Sequence, residues 1–305
     1  MNLDRIITTR PYNELDITFW PTDICNFNCS YCFPGIKDGV YRYPKDLDIV
    51  INKFTNLFAQ YASHNKTHYN LSIAGGGEPT LWPHLEEFCE RVINLANVKI
   101  ELVTNGSRTI DWWSKNAKYI NKAILSCHVQ DVDIEHFVKV ADTLHSNGTE
   151  VLAMMLMDAQ NWNQCIEYVD YMQNSNHTWT IIAKEVVSAP GSDISSYSQE
   201  QLEYVRDPIK RFAFKSKDIS EYRTVESIGF YGDKTFPAFN NTYIVNNQNY
   251  FKDWKCNVPL ERISIDAGLN VKGSCGLTFD KIESITCTKN CCDCQSDTHI
   301  TKWKP

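Results

Sequence analysis

The chain has 305 residues, 43% of them hydrophobic, which is enough to bury a large core. Its formal net charge of −7 argues against broad phosphate-backbone binding, which needs clustered Lys and Arg, so a nucleic-acid partner is not expected. No apolar run reaches the roughly 18 residues of a membrane span and residues 1–10 carry no signal-peptide core, so the expectation is a cytoplasmic protein with no membrane partner.

Residues 15–20 alternate apolar and polar side chains, which predicts a strand that delivers Cys25 to one end of a sheet. There the thiols Cys25, Cys29 and Cys32 stand at the spacing C-x3-C-x2-C, and no fourth Cys or His follows within thirty residues. A structural zinc site is closed by four ligands. Thiolates also favour iron–sulfur clusters, so three of them in one loop point to a [4Fe–4S] cluster with one iron left for a small molecule. A zinc knuckle short of a ligand and three unrelated core thiols are the alternatives. Most of the remaining cysteines form a second, C-terminal cluster; Cys89, Cys127 and Cys165 are singles. In a reducing compartment such clustering reads as metal binding rather than disulfides.

Residues 46–62 place Leu47, Val50, Ile51, Phe54, Leu57 and Phe58 on one helical stripe. Strands are expected at 71–74, 98–104, 123–127, 150–157 and 178–187, and helices at 83–95, 111–120, 133–146 and 162–172. Six βα units in a row imply a parallel sheet with right-handed crossovers, two units short of a closed barrel, with its working end at the strands' C-termini. The second strand is followed by Gly75-Gly76-Gly77-Glu78-Pro79-Thr80, where glycines allow close backbone approach. Thr104, Asn105 and Gly106 end the third strand, Ser126, Cys127 and His128 the fourth, and Lys184 is a charge within the apolar sixth.

The three-thiol loop and the Gly-Gly-Glu-Pro stretch resemble the motifs of the radical S-adenosylmethionine (SAM) superfamily. The resemblance implies an open (β/α)6 partial TIM barrel. It also implies a [4Fe–4S] cluster on Cys25, Cys29 and Cys32, whose free iron is chelated by the amino and carboxylate groups of SAM. A flavodoxin- or ferredoxin-type donor would supply the electron for reductive cleavage, and the 5′-deoxyadenosyl radical would abstract a substrate hydrogen. On the same resemblance Gly76, Gly77, Glu78 and Pro79 receive the methionine amino group of SAM, while Thr104, Asn105 and Ser126 face its ribose and carboxylate. Tyr31 would present its main chain to adenine and its ring to the cluster. His128 and Lys184 are expected at the barrel mouth, His128 exchanging a proton with substrate and Lys184 meeting the SAM carboxylate or an anionic substrate. Turn chemistry at Asn105-Gly106, a spacer role for His128 and pairing of Lys184 with a nearby acid are the plainer readings.

After residue 190 the pattern changes. Residues 191–255 are polar and aromatic and are read as a segment bridging the barrel mouth, with solvated loop as the alternative. Residues 262–271 alternate on both sides of an Ala-Gly turn, which predicts a β-hairpin. That hairpin lies between Cys256 and Cys275, ahead of Cys287, Cys291, Cys292 and Cys294. The layout resembles the SPASM and twitch auxiliary-cluster modules of radical SAM enzymes, the single-cluster twitch form fitting better. It implies a second [4Fe–4S] cluster on Cys256, Cys275, Cys291 and Cys294, with Cys287 or Cys292 as substitutes, in a small cysteine-rich α+β module; a four-thiolate zinc site is the alternative.

The expected division is thus a core barrel at 1–190, a covering segment at 191–255 and an auxiliary module at 256–305. Relatives with auxiliary clusters lean toward oxidation, crosslinking and epimerisation, and Cys127 and Cys165 are candidate hydrogen donors for the last, buried core thiols being the plainer reading of both. With only 24 residues ahead of Cys25, the expected substrate is a small polar molecule such as a sugar, nucleotide or amino-acid derivative. A ribosomal peptide is the second expectation, and a non-catalytic iron–sulfur or zinc protein the third.

Overall fold

The computed structural model of the chain describes residues 3–32, 43–175, 178–186, 197–206, 212–213, 225–239, 242–292 and 294–305. Residues 190–192, where the covering segment was expected to begin, lie outside them.

Six parallel strands carry the fold: β2 (Glu14–Phe19), β3 (His68–Ile73), β4 (Val98–Thr104), β5 (Lys122–Cys127), β6 (Glu150–Met157) and β7 (Thr180–Glu185). β1 (Arg5–Thr8) precedes them and belongs to a second sheet. The six pair in chain order, each with the next. Helices α1 (Leu47–Ala62), α2 (Leu85–Val92), α3 (Ile110–Asn116), α4 (Ile134–Ser146) and α5 (Trp162–Asn174) make the crossovers. Their starts follow from capping chemistry: Asp46 accepts from the N–H groups of Asp48 and Ile49, and Asp133 from those of Glu135 and His136.

β3 begins three residues earlier than its apolar run suggests, because Tyr69 is buried there with its hydroxyl donating to the Phe58 and Lys66 carbonyls. The expected helix at 111–120 is a helix only to Asn116 and then tightens into a 3-10 turn. β7 is shorter at both ends than expected, and residue 187 lies outside the described residues.

Each strand has two faces. In β2, Leu15, Ile17 and Phe19 are fully buried against the helices, whereas Asp16 and Thr18 point the other way and stay half-buried. The same alternation puts Leu125 and Cys127 of β5 on the helix side, and Ser126 on the inner side. At the foot of the inner side, polar groups satisfy one another. Asp16 takes the Asn70 amide at 3.1 Å and ion pairs from Arg10 and Arg262, and Ser72 donates to Glu101 at 2.9 Å, which also meets Lys122 at 3.3 Å.

α6 (Gln199–Arg206) and β8 (Phe212–Ala213) follow, β8 lying antiparallel on β7. β9 (Ser227–Tyr231), β10 (Lys234–Ala238), α7 (Thr242–Val245), β11 (Lys255–Cys256) and α8 (Val258–Glu261) lead to the predicted hairpin, β12 (Arg262–Ile265) and β13 (Val271–Gly273). β12 pairs parallel with β2, so the hairpin extends the barrel sheet to nine strands in the order β13-β12-β2-β3-β4-β5-β6-β7-β8. Among the described residues β13 and β8 do not meet, and the barrel is open.

β14 (Ile285–Thr286), α9 (Gln295–Thr298) and β15 (Lys302–Trp303) complete the chain. A second, antiparallel sheet runs β10-β9-β1-β15-β11-β14 and joins both ends of the described chain. Its core holds Leu3, Ile6, Tyr243, Phe251, Trp254 and Cys292. No helix among the described residues is long and apolar enough to cross a membrane.

Phe19 packs its ring 5.3, 5.6 and 5.2 Å from those of Phe54, Trp82 and Phe88. Truncation to Ala is expected to lower the unfolding free energy by about 3–5 kcal/mol, and Phe19→Leu by clearly less. Anaerobic denaturant titration checks both, and equal midpoints would mean the ring cluster is not what holds β2 to its helices.

Candidate active site

The loop after β2 and the loop after β3 are sewn together by backbone. Glu78 N–H donates to the Ile24 carbonyl at 2.6 Å, and a Cβ on Gly77 would lie 2.0 Å from that same oxygen. A Cβ on Gly75 would stand 3.1 Å from the Thr22 carbonyl. Two of the three glycines therefore serve the approach of one loop to another; Gly76 is half-buried between them.

Glu78 itself is buried and fully engaged by protein. Its carboxylate accepts from Thr80 N–H at 3.1 Å, Thr80 Oγ1 at 2.7 Å, Thr104 Oγ1 at 2.6 Å and Asn105 N–H at 2.7 Å. Burial pushes its pKa up, and these four donors pull against that shift. Pro79 opens a 3-10 turn whose Thr80 carbonyl is held by Arg108 through Nε at 3.0 Å and Nη2 at 2.5 Å.

Glu78 and Thr104 thus form the clasp that fixes the strand ends. Asn105 extends from it: its amide donates to Asn26 Oδ1 at 3.0 Å and lies 4.0 Å from Cys25 Sγ. Gly106, at φ +75°, supplies the left-handed turn that aims it.

The thiol loop is pinned from the other side by the segment after β5. His128 Nδ1 lies 3.3 Å from Cys29 Sγ and 3.1 Å from the Tyr31 hydroxyl, and its ring stacks on Tyr31 at 6.0 Å and 14°. Asp131 accepts from the Asn28 N–H at 3.1 Å and from Cys29 Sγ at 3.4 Å; Gln130 accepts from the Ser30 N–H at 2.8 Å and donates to Asp158 at 2.7 Å. Asp131, Gln130, Asp158 and Arg108 are absent from the motif reading; their only signal was position, since all four follow C-terminal strand ends.

Burial holds His128 well below its usual pKa, at about 4, so it is neutral near pH 7. Burial and then the Asp131 hydrogen bond push the Cys29 thiol up to about 12, and burial raises Cys25. In the metal-free chain these are thiols; iron must displace their protons.

Among the described residues no three Cys, His, Asp or Glu side chains converge on a position for one metal ion. That is not what a cube requires, because each thiolate of a [4Fe–4S] cluster binds a different iron. Three partly or wholly buried thiols on one short loop, with N–H groups directed at sulfur, as from Phe27 to Cys25 at 3.4 Å, are a donor set that fits.

Ser126 is half-buried on the inner face, in register with Met154. Lys184 is exposed at the end of β7. Cys127 and Cys165 are fully buried on the helix side, and burial raises both thiols, so neither reaches the inner face where a hydrogen donor would be needed.

In the C-terminal region Cys256, Cys287 and Cys292 are buried and Cys275 half-buried, and Cys256 feels both Cys275 and Cys287, as Cys292 feels Cys256 and Cys287. Cys291 is half-buried, and Cys294 is exposed at the N-cap of α9.

The sequence model of the Radical SAM superfamily matches residues 21–172, about half of the chain. An S-adenosylmethionine-dependent nucleotide dehydratase of Thermoplasmatales archaeon (strain ISO4-H5) is 26% identical over 151 residues, 45% of this chain and 51% of that protein. A GTP 3′,8-cyclase of Staphylococcus epidermidis (strain ATCC 12228 / FDA PCI 1200) is 25% identical over 183 residues, 55% of this chain and 52% of that protein. The chain thus spans about half the length of these relatives. Native anSMEcpe with bound AdoMet and Cp18Cys peptide shares the fold, with a TM-score of 0.50 at 14% identity over 88% of this chain and 76% of that one.

Gly77→Ala is expected to weaken SAM binding by about tenfold or more, because its methyl group would lie 2.0 Å from the Ile24 carbonyl oxygen that Glu78 N–H also holds, whereas Gly75→Ala, at 3.1 Å from Thr22, should be milder. Equilibrium dialysis with SAM on reconstituted protein measures the difference. Glu78→Gln turns an amide N–H toward a donor and is expected to remove about 1–3 kcal/mol of stability, read from denaturant midpoints.

Proposed function

Because the chain belongs to the radical SAM superfamily, we propose that it cleaves SAM reductively and directs the resulting radical at a small polar substrate, a nucleotide first among the sugar, nucleotide and amino-acid classes. A [4Fe–4S] cluster held by Cys25, Cys29 and Cys32 would supply one electron and an open iron to SAM, whose C–S cleavage would give methionine and a hydrogen-abstracting 5′-deoxyadenosyl radical. The observation that carries the reading is the thiol loop held on both flanks, by Gly77 and Glu78 on one side and by His128 and Asp131 on the other.

The chain's own residues prepare that chemistry. The seam between Ile24 and Gly77 brings main-chain groups beside the thiols, where the methionine end of SAM would lie. Asn105 and Ser126 carry polar atoms along the inner face toward its ribose. Glu78 and Thr104 act one step back, as positioning residues that hold Asn105. Tyr31 and Phe27 pack around His128 and keep water from Cys29. His128, neutral and bonded at Nδ1, is a spacer for the loop and not a proton donor to substrate; Lys184, exposed, is better placed to greet an anionic substrate at the rim. The nucleotide preference follows from the two relatives named for nucleotide chemistry.

The C-terminal thiols are proposed to hold an auxiliary cluster on Cys256, Cys275, Cys287 and Cys292. This set replaces the expected Cys291 and Cys294 with the two thiols that are buried beside Cys256. The division into barrel (1–190), covering segment (191–255) and auxiliary module (256–305) is proposed as one of function and not of sheets, because β12 and β13 pair into the barrel sheet and β9 and β10 join β1 in the second. A flavodoxin- or ferredoxin-type protein is the proposed electron donor.

Anaerobically reconstituted protein with dithionite and SAM is expected to release 5′-deoxyadenosine, more with nucleoside triphosphates present, and Cys29→Ala to release none. Fully loaded protein that leaves SAM intact would instead be a binding protein with a cluster.

A further inference from the structure

Lys302 is 1% exposed, and its ammonium is buried in the second sheet, directly across the ladder from Cys256. Its Nζ donates to the Asp297 carbonyl at 2.6 Å and the Thr298 carbonyl at 3.4 Å, approaches Cys292 Sγ at 3.9 Å, and sits 4.3 Å from the centre of the Phe251 ring. An ammonium taken out of water is strongly disfavoured unless an anion faces it. Two carbonyl dipoles and a ring face supply partial compensation. The nearby acid, Asp297, turns its carboxylate elsewhere, to the Ser274 hydroxyl at 2.5 Å and toward Arg262 Nε at 3.7 Å. What does converge on Lys302 is sulfur, from Cys292 directly and from Cys256 through the adjacent strand, and its charge lowers the pKa of both thiols against the rise that burial imposes.

We propose that Lys302 is the built-in counter-cation of the auxiliary thiolate centre, that Cys292 is one of its ligands, and that the buried charge raises the centre's reduction potential. The inference rests on the auxiliary cluster proposed above and deepens it. Ligation of iron by several thiolates places net negative charge in this small core, and reduction adds one more. A fixed cation that cannot relax into solvent favours the reduced state. Lys302 acts through the sulfurs and touches neither substrate nor SAM, so it is a positioning and tuning residue.

The test uses the full chain with Cys25, Cys29 and Cys32 replaced by Ala, so that any iron reports the second site alone. Loaded protein is expected to hold about four irons per chain, and an EPR-monitored redox titration gives its midpoint. Lys302→Met is expected to make reduction at least tenfold less favourable, a shift of about 59 mV for one electron. Lys302→Arg should keep most of the native value, and exposed Lys304→Met should match it. An unchanged midpoint in a fully loaded Lys302→Met protein would overturn the counter-cation alone, whereas no iron in the parent would remove the auxiliary centre and this proposal with it. Should Lys302→Met fail to fold, iron counts decide: Cys292→Ala must lose the cluster while Cys291→Ala and Cys294→Ala retain it, and the reverse pattern would overturn the assignment.

Discussion

Four donors meet on one buried carboxylate, Glu78, and the rest of the site is referred to that contact. It locks the end of β3 to the end of β4, and the backbone bond from the same residue to Ile24 carries the constraint into the thiol loop. A loop with three cysteines has little reason of its own to adopt one shape before metal arrives. Here its entry is fixed by the Ile24 seam, its middle by the Asp131 and Gln130 acceptors, and its exit by Tyr31 on His128. Much of the ordering entropy of the cluster site is therefore settled by protein contacts alone.

The barrel was legible where a single face decides the pattern. The strands at Val98–Thr104 and Glu150–Met157 agree with their alternation to the residue, and the helix starts at Asp46 and Asp133 are visible as caps. The second sheet was not legible, because its strands are short and its pairings remote. Arg5-Ile6-Ile7-Thr8 reads as nothing in particular until Ser227–Tyr231 and Lys302–Trp303 lie beside it.

The site was legible as motifs and less so as roles. A Gly-Gly-Glu-Pro stretch suggests a ligand-facing edge, yet Glu78 and one glycine are used by the protein itself, and only distances could reveal that. The C-terminal thiols show the same limit. Cys291-x2-Cys294 looks like a ligand pair because spacing reports nearness along the chain, whereas burial reports direction, and Cys287 and Cys292 are the more buried thiols. Cys127 follows the period of two: it lies beside two inner-facing residues, Ser126 and His128, and therefore points away from their cavity as a core thiol.

Arg262 ties the barrel sheet to α9. Its guanidinium stands 3.4 Å from Asp16 of the barrel and 3.7 Å from Asp297 of α9, so one side chain spans the barrel sheet and the region of the second thiol group. Electrostatic changes on either side share that residue.

β1 pairs with β9 and β15, and β11, which carries Cys256, is flanked by β14 and β15. During synthesis the opening strand must therefore wait, unpaired along one edge, until Trp303 has cleared the ribosome tunnel. The six parallel strands and the thiol loop all precede that point in the chain. The pairing of β11 with β15 forms after it, so the order in which the two thiol groups are enclosed follows from chain topology.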